Sequence, residues 1–506
     1  MKKISTRAVS VFLIALVVIA GICGFVRNEF VHGRKWAMYF SSFDPEAEGE
    51  LLDRDGEMLA SFNRAGRGYA VDSPTRIANY HVTGDFIGMS GTGILTHFWS
   101  SAKNYSYIKG TYGKTQSSLT LSIDSDLNKM AYQLIRDNGR RTVLKNAAGQ
   151  IVDPETYEPI LPLMVEDETE ELSVPLAVSI FNIPVEEPEE PEDLLPPLPL
   201  ERPADITEET IEGKGTVMIM NYKTGEVLCL TSAPSIDPAY PAEEPEEGAY
   251  MNRALSATYT PGSTFKLVTA AAAIENIPDI YNMQFKCEGK YDIAGIEITC
   301  DAVHGTQSFP EAMANSCNCA FAQITVMLGQ NTMVKYVNDF GFLSPHSIDG
   351  LYTSSGNYPQ EFVGDPELAW SGIGQSTDQV CPYTMLRYVA AIANGGVLAE
   401  PTLLLGNNAG TTAVLDSSTA GKLRELMMNN VATHYEGDVR FPGLKLGAKT
   451  GTAETGYGTS HSWFTGFLAD EAHPYAFVAI VEEGGYGLWT AGIMMNEILQ
   501  HIVNNT

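Results

Sequence analysis

Residues 259–276, YTPGSTFKLVTAAAAIEN, restrict the fold of this chain more than any other segment. A proline and a glycine end a loop, and four consecutive alanines favour a regular helix that can lie buried beneath a site. Ser263 and Lys266 fall in the first turn of this helix, three residues apart, so their side chains share one face. A serine hydroxyl needs a base before it becomes a good nucleophile, and a partly buried lysine can be that base. The free N–H groups and positive dipole end of the helix suit a developing oxyanion.

Two later triplets strengthen this interpretation. A lone S-x-x-K match is weak, because a chain of this length contains roughly one or two by chance, and a capping serine beside a solvated lysine explains it. Residues 314–324, ANSCNCAFAQI, contain Ser316 and Asn318 as S-x-N, and residues 445–456, KLGAKTGTAETG, contain Lys449 in K-T-G. Taken alone, the first triplet is explained by a loop or cap and the second by a turn. In this order, the three motifs are typical of serine acyl-transferring penicillin-binding proteins and serine β-lactamases.

The resemblance covers much of residues 49–485. The chain resembles a class B penicillin-binding protein, a membrane-anchored D,D-transpeptidase of peptidoglycan synthesis. The similar segments include DRDGEMLA (53–60), TGEVLCLTSAPSIDP (224–238), NRALSATYTPGSTFK (252–266), HGTQSFPEAMANSCNCAFA (304–322), GIGQSTDQVCPYTMLRYVAAIANGG (372–396) and SWFTGF (462–467). The chain departs from the family in an acidic insertion at 140–213. No region resembles the glycosyltransferase of the bifunctional class A proteins.

The resemblance implies a catalytic role for each matching side chain. Ser263 would attack the carbonyl of the penultimate D-Ala of a stem peptide, and Lys266 would accept its proton. Ser316 would relay a proton to the leaving amine. Asn318 would hold the substrate amide and steady Lys266, and Lys449 would contribute positive potential.

The resemblance also implies how substrate is bound. Thr450 and Thr452 would meet the terminal carboxylate of the donor peptide, and Gly451 would leave space for a substrate lying along the strand edge. The backbone N–H groups of Ser263 and Thr452 would form the oxyanion hole. Penicillin would acylate the same serine and leave slowly, and no cofactor is implied. The family further implies a SEDS-type glycan polymerase in the membrane as a partner.

The hydrophobic patterns predict an α/β (α+β) fold, an antiparallel sheet flanked by helices, as in penicillin-binding proteins and serine β-lactamases. Hairpins are predicted at 49–62 and 215–232, and adjacent buried strands at 462–470 and 475–483. A strand running into a helix is predicted at 117–139, with Asp124 or Ser125 as cap. Further helices are predicted at 263–277, 309–329, 380–394 and 490–505. The predicted domains are a cytoplasmic tail (1–7), a transmembrane anchor (8–26), an N-terminal module (27–139), the insertion (140–213) and the transpeptidase domain (214–506).

The N-terminus indicates the compartment. Residues 8–26, AVSVFLIALVVIAGICGFV, carry no charge and are long enough to cross a bilayer as a helix. The basic residues before them predict that the N-terminus is cytoplasmic and the catalytic domain extracytoplasmic, in a single-pass protein of the cell membrane. A cleaved signal peptide is the alternative, although no clear A-x-A site follows.

The charge of the chain is uneven. The formal net charge is −30, and residues 166–212 hold sixteen acidic residues against one basic residue, so this stretch carries net −15. Such an acidic chain does not suit nucleic acid as a partner. Because prolines and like charges oppose compact structure, the insertion is expected to be a mobile, solvated loop.

The seven cysteines do not indicate a disulfide scaffold in a chain of this size. Cys287 and Cys300 flank a possible hairpin, so both a disulfide between them and free thiols are open. Cys300, His304, Cys317 and Cys319 lack standard zinc-finger spacing, and no metal site is predicted from them.

Two other classes of function remain open for the same motifs. A D,D-carboxypeptidase or β-lactamase of this fold would transfer the acyl group to water, but no dedicated deacylating base is identifiable. A β-lactam sensor or a scaffold would not be an enzyme, but the intact Ser263, Lys266, Asn318 and Lys449 argue against it. The sequence does not distinguish among roles in elongation, division and sporulation, and it does not identify the acceptor amine.

Overall fold

The computed structural model of the protein describes residues 49–63, 66–86, 89–90, 92–95, 105–106, 111–112, 118–148, 150–153, 159, 203, 205–455 and 459–505. These residues belong to two compact units. One unit lies within residues up to Gly139 and from Gly213 onwards, and the other runs from Arg140 to Glu212. The predicted anchor at 8–26 lies outside the described residues, among which no helix is long and apolar enough to cross a bilayer.

The described part of the chain contains helices and strands with the following bounds. The α-helices are α1 Ser73–Thr83, α2 Ser125–Asn138, α3 Lys266–Asn276, α4 Phe309–Ala314, α5 Asn318–Leu328, α6 Gln330–Asp339, α7 Asp365–Gly372, α8 Pro382–Ala393, α9 Ser417–His434, α10 Gly437–Arg440 and α11 Ile493–Asn505. The first eleven strands are β1 Gly49–Leu52, β2 Met58–Asn63, β3 Gly66–Tyr69, β4 Tyr105–Ser106, β5 Thr111–Tyr112, β6 Leu119–Thr120, β7 Arg141–Lys145, β8 Ile151–Val152, β9 Thr207–Ile211, β10 Gly215–Asn221 and β11 Val227–Ala233. The others are β12 Gln284–Cys287, β13 Lys290–Ile293, β14 Ile296–Thr299, β15 Gly305–Ser308, β16 Ser347–Ile348, β17 Leu351–Tyr352, β18 Val397–Ala399, β19 Thr411–Ala413, β20 Leu446–Glu454, β21 Ser460–Leu468 and β22 Tyr475–Val481.

A five-stranded antiparallel sheet in the order β11-β10-β22-β21-β20 forms the centre of the larger unit. Successive side chains of a strand point to opposite faces. Met218 and Met220 therefore pack in the cluster that contains α3 and α8, whereas Val217 and Ile219 pack in the cluster that contains α2 and α11. Because helices cover both faces, the central strand β22 is buried along its whole length, and the predicted α+β fold is confirmed.

Helix α3 is the buried alanine-rich helix that the sequence predicts. Ala270 to Ala273 are fully buried, so neighbouring elements can approach its backbone closely. The predicted start at Ser263 differs in detail, because residues Gly262–Phe265 form a 3₁₀ turn and the α-helix begins at Lys266. In a 3₁₀ turn, residues three apart lie directly above one another, which brings Ser263 and Lys266 together.

Three further local predictions are confirmed. β1 and β2 form the hairpin around Arg54-Asp55-Gly56, and β10 and β11 form the second hairpin. The Asp124 carboxylate caps α2 by accepting from the Leu127 N–H at 2.9 Å, and Gly139 ends that helix. Strands β21 and β22 are adjacent, as predicted.

The single helix predicted at 309–329 is wrong. Helices α4 and α5 are separated by residues 315–317, because Ser316 has a φ of +52°. A backbone in the left-handed region cannot continue an α-helix. The helix predicted at 490–505 begins with a π-helical turn, Leu488–Gly492, and continues as α11.

The unit from Arg140 to Glu212 contains more order than predicted at its two ends. β7 pairs antiparallel with both β8 and β9. Strands β7 and β9, at the two ends of this unit, combine β-branched and apolar residues with charged residues of opposite sign. Lys145 Nζ, for example, lies 2.7 Å from Glu209 Oε2. The expectation of a loop is therefore wrong at the ends, where prolines are few. Most of residues 154–204 lie outside the described residues, so their mobility and the proposed domain limits stay predictions.

Candidate active site

The nucleophile candidate lies in a turn that is held from several directions. Trp463 Nε1 donates to the Thr260 carbonyl at 3.1 Å, and the Gly262 N–H donates to the Gly374 carbonyl at 2.9 Å. Gly374 has a φ of +81°, and a Cβ there would lie 2.1 Å from the Gly262 oxygen. Only glycine allows this approach. Ser263 is therefore presented by a turn fixed against strand β21 and the segment after α7.

A charged network supports the residues just before this turn. Arg253 is 4 % exposed and its Nε lies 2.8 Å from Glu482 Oε1, which also accepts from the Tyr259 hydroxyl at 2.7 Å. The Arg253 guanidinium also donates to the Gly248 carbonyl at 2.9 Å. An ion pair between a buried arginine and a partly buried carboxylate, with further hydrogen bonds to both, fixes geometry. Here it joins the approach to Ser263 to the end of β22.

Lys266 is the centre of the site. Its ammonium group is completely buried and lies 3.0 Å from Ser263 Oγ, 2.7 Å from Asn318 Oδ1 and 2.5 Å from the Ser316 carbonyl oxygen. Burial lowers the pKa of Lys266 to about 8, although negative charge at Cys300 and Cys317 opposes this effect. Desolvation disfavours an ammonium ion, so the neutral amine needed for proton transfer becomes accessible near neutral pH.

The break between α4 and α5 aims Ser316 at both lysines. Its hydroxyl lies 3.3 Å from Lys266 Nζ and accepts from Lys449 Nζ at 2.8 Å. The left-handed backbone of Ser316 also turns its carbonyl towards Lys266. Non-glycine residues in this region cost energy, so their occurrence at a cluster of polar groups is typical of a functional site.

Lys449, on the edge strand β20, is also completely buried, and its Nζ donates to the carbonyl of Thr450 at 3.0 Å. Burial lowers the pKa of Lys449 well below its usual value, and the neighbouring Lys266 lowers it further. Two buried amines that contact one serine hydroxyl repel each other when both are protonated, so their titrations are coupled. This arrangement suits proton transfer along Lys266, Ser316 and Lys449.

The remaining K-T-G residues line or shape a large cleft. Thr450 and Thr452 lie with Ser263, Ser316 and Asn318 on the wall of a cavity of about 1260 Å³. Gly451 has a packing reason in addition to the predicted one, which stays a prediction. A Cβ there would lie 2.9 Å from the Pro261 oxygen and 3.0 Å from Thr264 Cγ2, so this glycine allows β20 to pack against the Ser263 turn.

Two contributors were missed by sequence reasoning. The buried Tyr435 hydroxyl accepts from the Thr450 N–H at 3.1 Å and contacts Thr450 Oγ1 at 3.1 Å. The Gly487 N–H donates to Thr452 Oγ1 at 3.3 Å, and the exposed Trp489 lines the same cavity. Neither Tyr435 nor Gly487 lies in a recognisable motif, so only tertiary structure could reveal them.

The structure also gathers cysteines beside the site. Cys287 and Cys300 are free, so the structure favours free thiols over a disulfide between them. The prediction of no metal site rested on spacing within a set that omitted Cys287. The Sγ atoms of Cys287, Cys300, Cys317 and Cys319 all lie within 4.8 Å of one another and could hold an ion, which that prediction did not foresee.

Comparison with known proteins agrees with the geometry. Residues 215–500 match the family described as "Penicillin binding protein transpeptidase domain". Stage V sporulation protein D of Bacillus subtilis is 32% identical over 276 residues, which are 50% of this chain and 42% of the relative. Peptidoglycan D,D-transpeptidase PbpA of Mycobacterium tuberculosis is 30% identical over 321 residues, 55% of this chain and 64% of the relative. The chain thus spans less than two thirds of the length of these curated relatives.

Solved structures extend the similarity of fold. The crystal structure of PBPA from M. tuberculosis has a TM-score of 0.64 at 20% identity, and the alignment covers 90% of this chain and 99% of that one. A ceftriaxone acyl-enzyme complex of the same protein has a TM-score of 0.62 at 19% identity, with 90% and 98% covered. Because the family match spans more than half of the residues, this chain belongs to the penicillin-binding protein transpeptidase family.

Proposed function

We propose that this chain is a peptidoglycan D,D-transpeptidase that works through a Ser263 acyl-enzyme and is acylated by β-lactams at the same serine. The observation that carries the proposal is the buried Lys266 Nζ, 3.0 Å from Ser263 Oγ, with a pKa lowered to about 8. A nucleophile and its base within hydrogen-bond reach are the minimum requirement for serine acyl transfer. The curated relative named peptidoglycan D,D-transpeptidase PbpA supports this reaction class.

In the acylation step, neutral Lys266 takes the Ser263 proton as Oγ bonds to the carbonyl carbon of the penultimate D-Ala. The carbonyl oxygen becomes an oxyanion, which the backbone N–H groups of Ser263 and Thr452 stabilise. The C–N bond then breaks and the terminal D-Ala leaves. Its amine receives a proton through the Ser316 hydroxyl, which lies between Lys266 and Lys449. Lys266 returns to the neutral form, and an ester joins the donor peptide to Ser263.

In the transfer step, the amine of a second stem peptide attacks this ester. Lys266 takes the proton that the amine loses, the new amide forms, and Ser263 Oγ departs and recovers its proton. Asn318 has its Oδ1 on Lys266 at 2.7 Å and its Nδ2 on the Thr299 carbonyl at 3.0 Å, so its amide is already oriented. Thr450 and Thr452 would receive the terminal carboxylate of the donor peptide. Lys449 would supply positive potential when it holds the proton that it can exchange with Lys266 through Ser316.

The cellular setting is part of the same proposal. A charge-free segment at 8–26 after three basic residues favours a single-pass anchor with the catalytic unit outside the cytoplasm. A SEDS-type glycan polymerase in the membrane would then be the partner that supplies glycan strands. Co-purification with such a polymerase that persists after removal of residues 1–139 would locate the contact elsewhere.

The test uses penicillin and a matched serine variant. Mass spectrometry of the intact chain after penicillin G should detect one adduct, and peptide mapping should locate it on the peptide containing Ser263. Ser263→Ala should abolish the adduct, whereas Ser347→Ala, at an exposed serine outside the cavity, should retain it. An adduct on folded Ser263→Ala would mean that another residue is the nucleophile.

A second assay separates transfer from hydrolysis. With a donor peptide ending in D-Ala-D-Ala and an added amine acceptor, D-Ala release should be accompanied by the peptide–acceptor product. Release of D-Ala with only the hydrolysed peptide would indicate a D,D-carboxypeptidase. Rapid multiple turnover of a chromogenic cephalosporin would indicate a β-lactamase.

A further inference from the structure

The cysteine cluster is built from three separate segments of the chain. Cys287 ends strand β12, Cys300 follows strand β14, and Cys317 and Cys319 lie at the start of helix α5. Cys287, Cys317 and Cys319 are completely buried, and Cys300 is partly buried. Burial of four thiols in one place needs a reason, because free thiols in an oxidising compartment are vulnerable.

The spacing of the sulfur atoms fits one tetrahedral ion. Zn²⁺ bound by four thiolates has Zn–S distances of about 2.3 Å, which places the sulfurs about 3.8 Å apart. Cys300 Sγ lies 3.9 Å from Cys317 Sγ, and all four Sγ atoms lie within 4.8 Å of one another. A multi-iron cluster would occupy more space between the sulfurs. Tetrahedral four-sulfur coordination favours Zn²⁺ over harder divalent ions.

Possible hydrogen-bond donors lie close to three of the four sulfurs, as they would around thiolates. The Asn318 N–H donates to Cys300 Sγ at 3.3 Å, and the Ala320 N–H donates to Cys317 Sγ at 3.4 Å. His304 Nδ1 lies 3.5 Å from Cys287 Sγ and 3.6 Å from Cys300 Sγ, close enough for its ring N–H to bond to sulfur. Such outer contacts orient the ligands of metal sites.

A pair of disulfides is the competing explanation. Each disulfide would join only two sulfurs and would leave the two pairs independent, whereas here every sulfur is close to every other. In addition, two bridges would not require N–H donors pointing at the sulfurs. This compact arrangement of four sulfurs is better explained by one central ion than by two bridges.

We propose that Cys287, Cys300, Cys317 and Cys319 form a structural Zn²⁺ site that holds the S-x-N segment in place. Two of the four ligands flank Asn318, and the segment also contains Ser316 with its φ of +52°. The ion joins this segment to the end of strand β12 and to the residue after strand β14, which come earlier in the chain. A structural zinc contributes directly to folding energy, so it can maintain a backbone conformation that would otherwise relax.

Zinc content is the first measurement. The full chain, without a polyhistidine tag, should contain one zinc per chain by inductively coupled plasma mass spectrometry. Cys287→Ser should lose this zinc. Cys229→Ser is the matched control. Cys229 is also a completely buried free thiol, but it lies in the hydrophobic cluster that contains α2 and α11, away from Cys287. Zinc retained in Cys287→Ser, or iron at the same stoichiometry, would overturn the assignment.

Thiol chemistry and cobalt give independent readouts. After denaturation in chelator, all seven cysteines should react with a thiol reagent. Only three reactive thiols, with two disulfides found by non-reducing peptide mapping, would overturn the proposal. Replacement of zinc by Co²⁺ should give the charge-transfer and d–d absorption of a tetrahedral tetrathiolate. An octahedral cobalt spectrum would contradict the four-sulfur site.

The link to the S-x-N segment rests on the proposed function and is tested separately. Cys287 lies outside the catalytic cavity, yet Cys287→Ser should slow acylation by penicillin on the order of 10- to 100-fold, because small displacements of positioned groups cost rates of this size. Ser263→Ala should retain full zinc and lose acylation. Zinc without acylation in the wild type would refute only the proposed function, whereas unchanged acylation in zinc-free Cys287→Ser would refute the positioning role.

Discussion

The rate at which a β-lactam acylates Ser263 should rise with pH and level off near pH 8. The base must be neutral to accept the serine proton, so the rate follows the deprotonated fraction of Lys266. Because the folded protein lowers the pKa of this lysine to about 8, the rate should increase about tenfold per unit between pH 6 and pH 7. Above pH 8 the lysine is mostly neutral and little increase remains.

The size of the effect follows from burial of the lysine. An ordinary lysine with a pKa of 10.5 is only about 0.03 % neutral at pH 7, whereas one with a pKa of about 8 is about 9 % neutral. Lowering the pKa therefore increases the reactive fraction about 300-fold, which corresponds to about 3 kcal/mol. Desolvation of the completely buried ammonium group is the main cause, and the charges of Cys300, Cys317 and Asp301 partly oppose it.

Stopped-flow acylation by a chromogenic cephalosporin, measured from pH 6 to pH 9.5, is the assay. Lys266→Arg keeps a positive charge but cannot serve as a base, so it should abolish the ascending limb together with acylation. Lys449→Arg removes the second titrating amine and should preserve the ascending limb. A flat profile, or a rate that still rises about tenfold per unit at pH 9.5, would refute the assignment of Lys266 as base. An ascending limb that disappears only in Lys449→Arg would assign the titration to Lys449.

Two other substitutions test how the site is held. Gly374→Ala adds a Cβ 2.1 Å from the Gly262 oxygen and should reduce penicillin acylation by on the order of 100-fold, while Gly350→Ala, with a φ of +87° and no atom within 4 Å, should leave acylation unchanged. Equal losses in both variants would mean that backbone strain, not contact with the serine turn, is responsible. Arg253→Met leaves the partly buried Glu482 carboxylate with the Tyr259 hydroxyl but without its charged partner, and should lower the free energy of unfolding by about 1–3 kcal/mol, measured by chemical denaturation. Lys290→Met breaks an exposed ion pair and should leave stability unchanged, and similar losses in both would contradict the role given to burial.

The sequence identifies the candidate catalytic side chains through three motifs in a fixed order, and their catalytic roles stay predictions. One turn places Ser263 and Lys266 together. The alanine run and the apolar runs are sufficient to identify helix α3 and strands β21 and β22, whereas strand β20 is not predicted from its residues. The distances between motifs cannot be predicted in the same way. For example, the 2.7 Å contact between Lys266 Nζ and Asn318 Oδ1 joins residues fifty-two positions apart. No local pattern encodes that distance, and only the family resemblance suggests it.

Other parts of the site could not be predicted for physical reasons. Tyr435 contacts Thr450 from the end of helix α9, and no local sequence pattern distinguishes this tyrosine from any other. Gly451 is explained by the Pro261 oxygen, which approaches it from a remote loop. The cysteine cluster was missed because its ligands come from three segments. A search for paired cysteines at zinc-finger spacing cannot detect such a set.

The break in the predicted helix at 309–329 explains how one short segment can serve two sites. In a continuous helix, residues two apart point about 200° from each other, so Cys317 and Cys319 could not face the same ion. Cys317 instead precedes α5 with an extended backbone, φ −66° and ψ 113°, which allows its sulfur to join that of Cys319. Asn318, between them, is then free to face Lys266. If zinc removal proves to change acylation, this break is the physical connection, because the same backbone conformation that brings the two thiols together also aims the amide and Ser316 at the lysine.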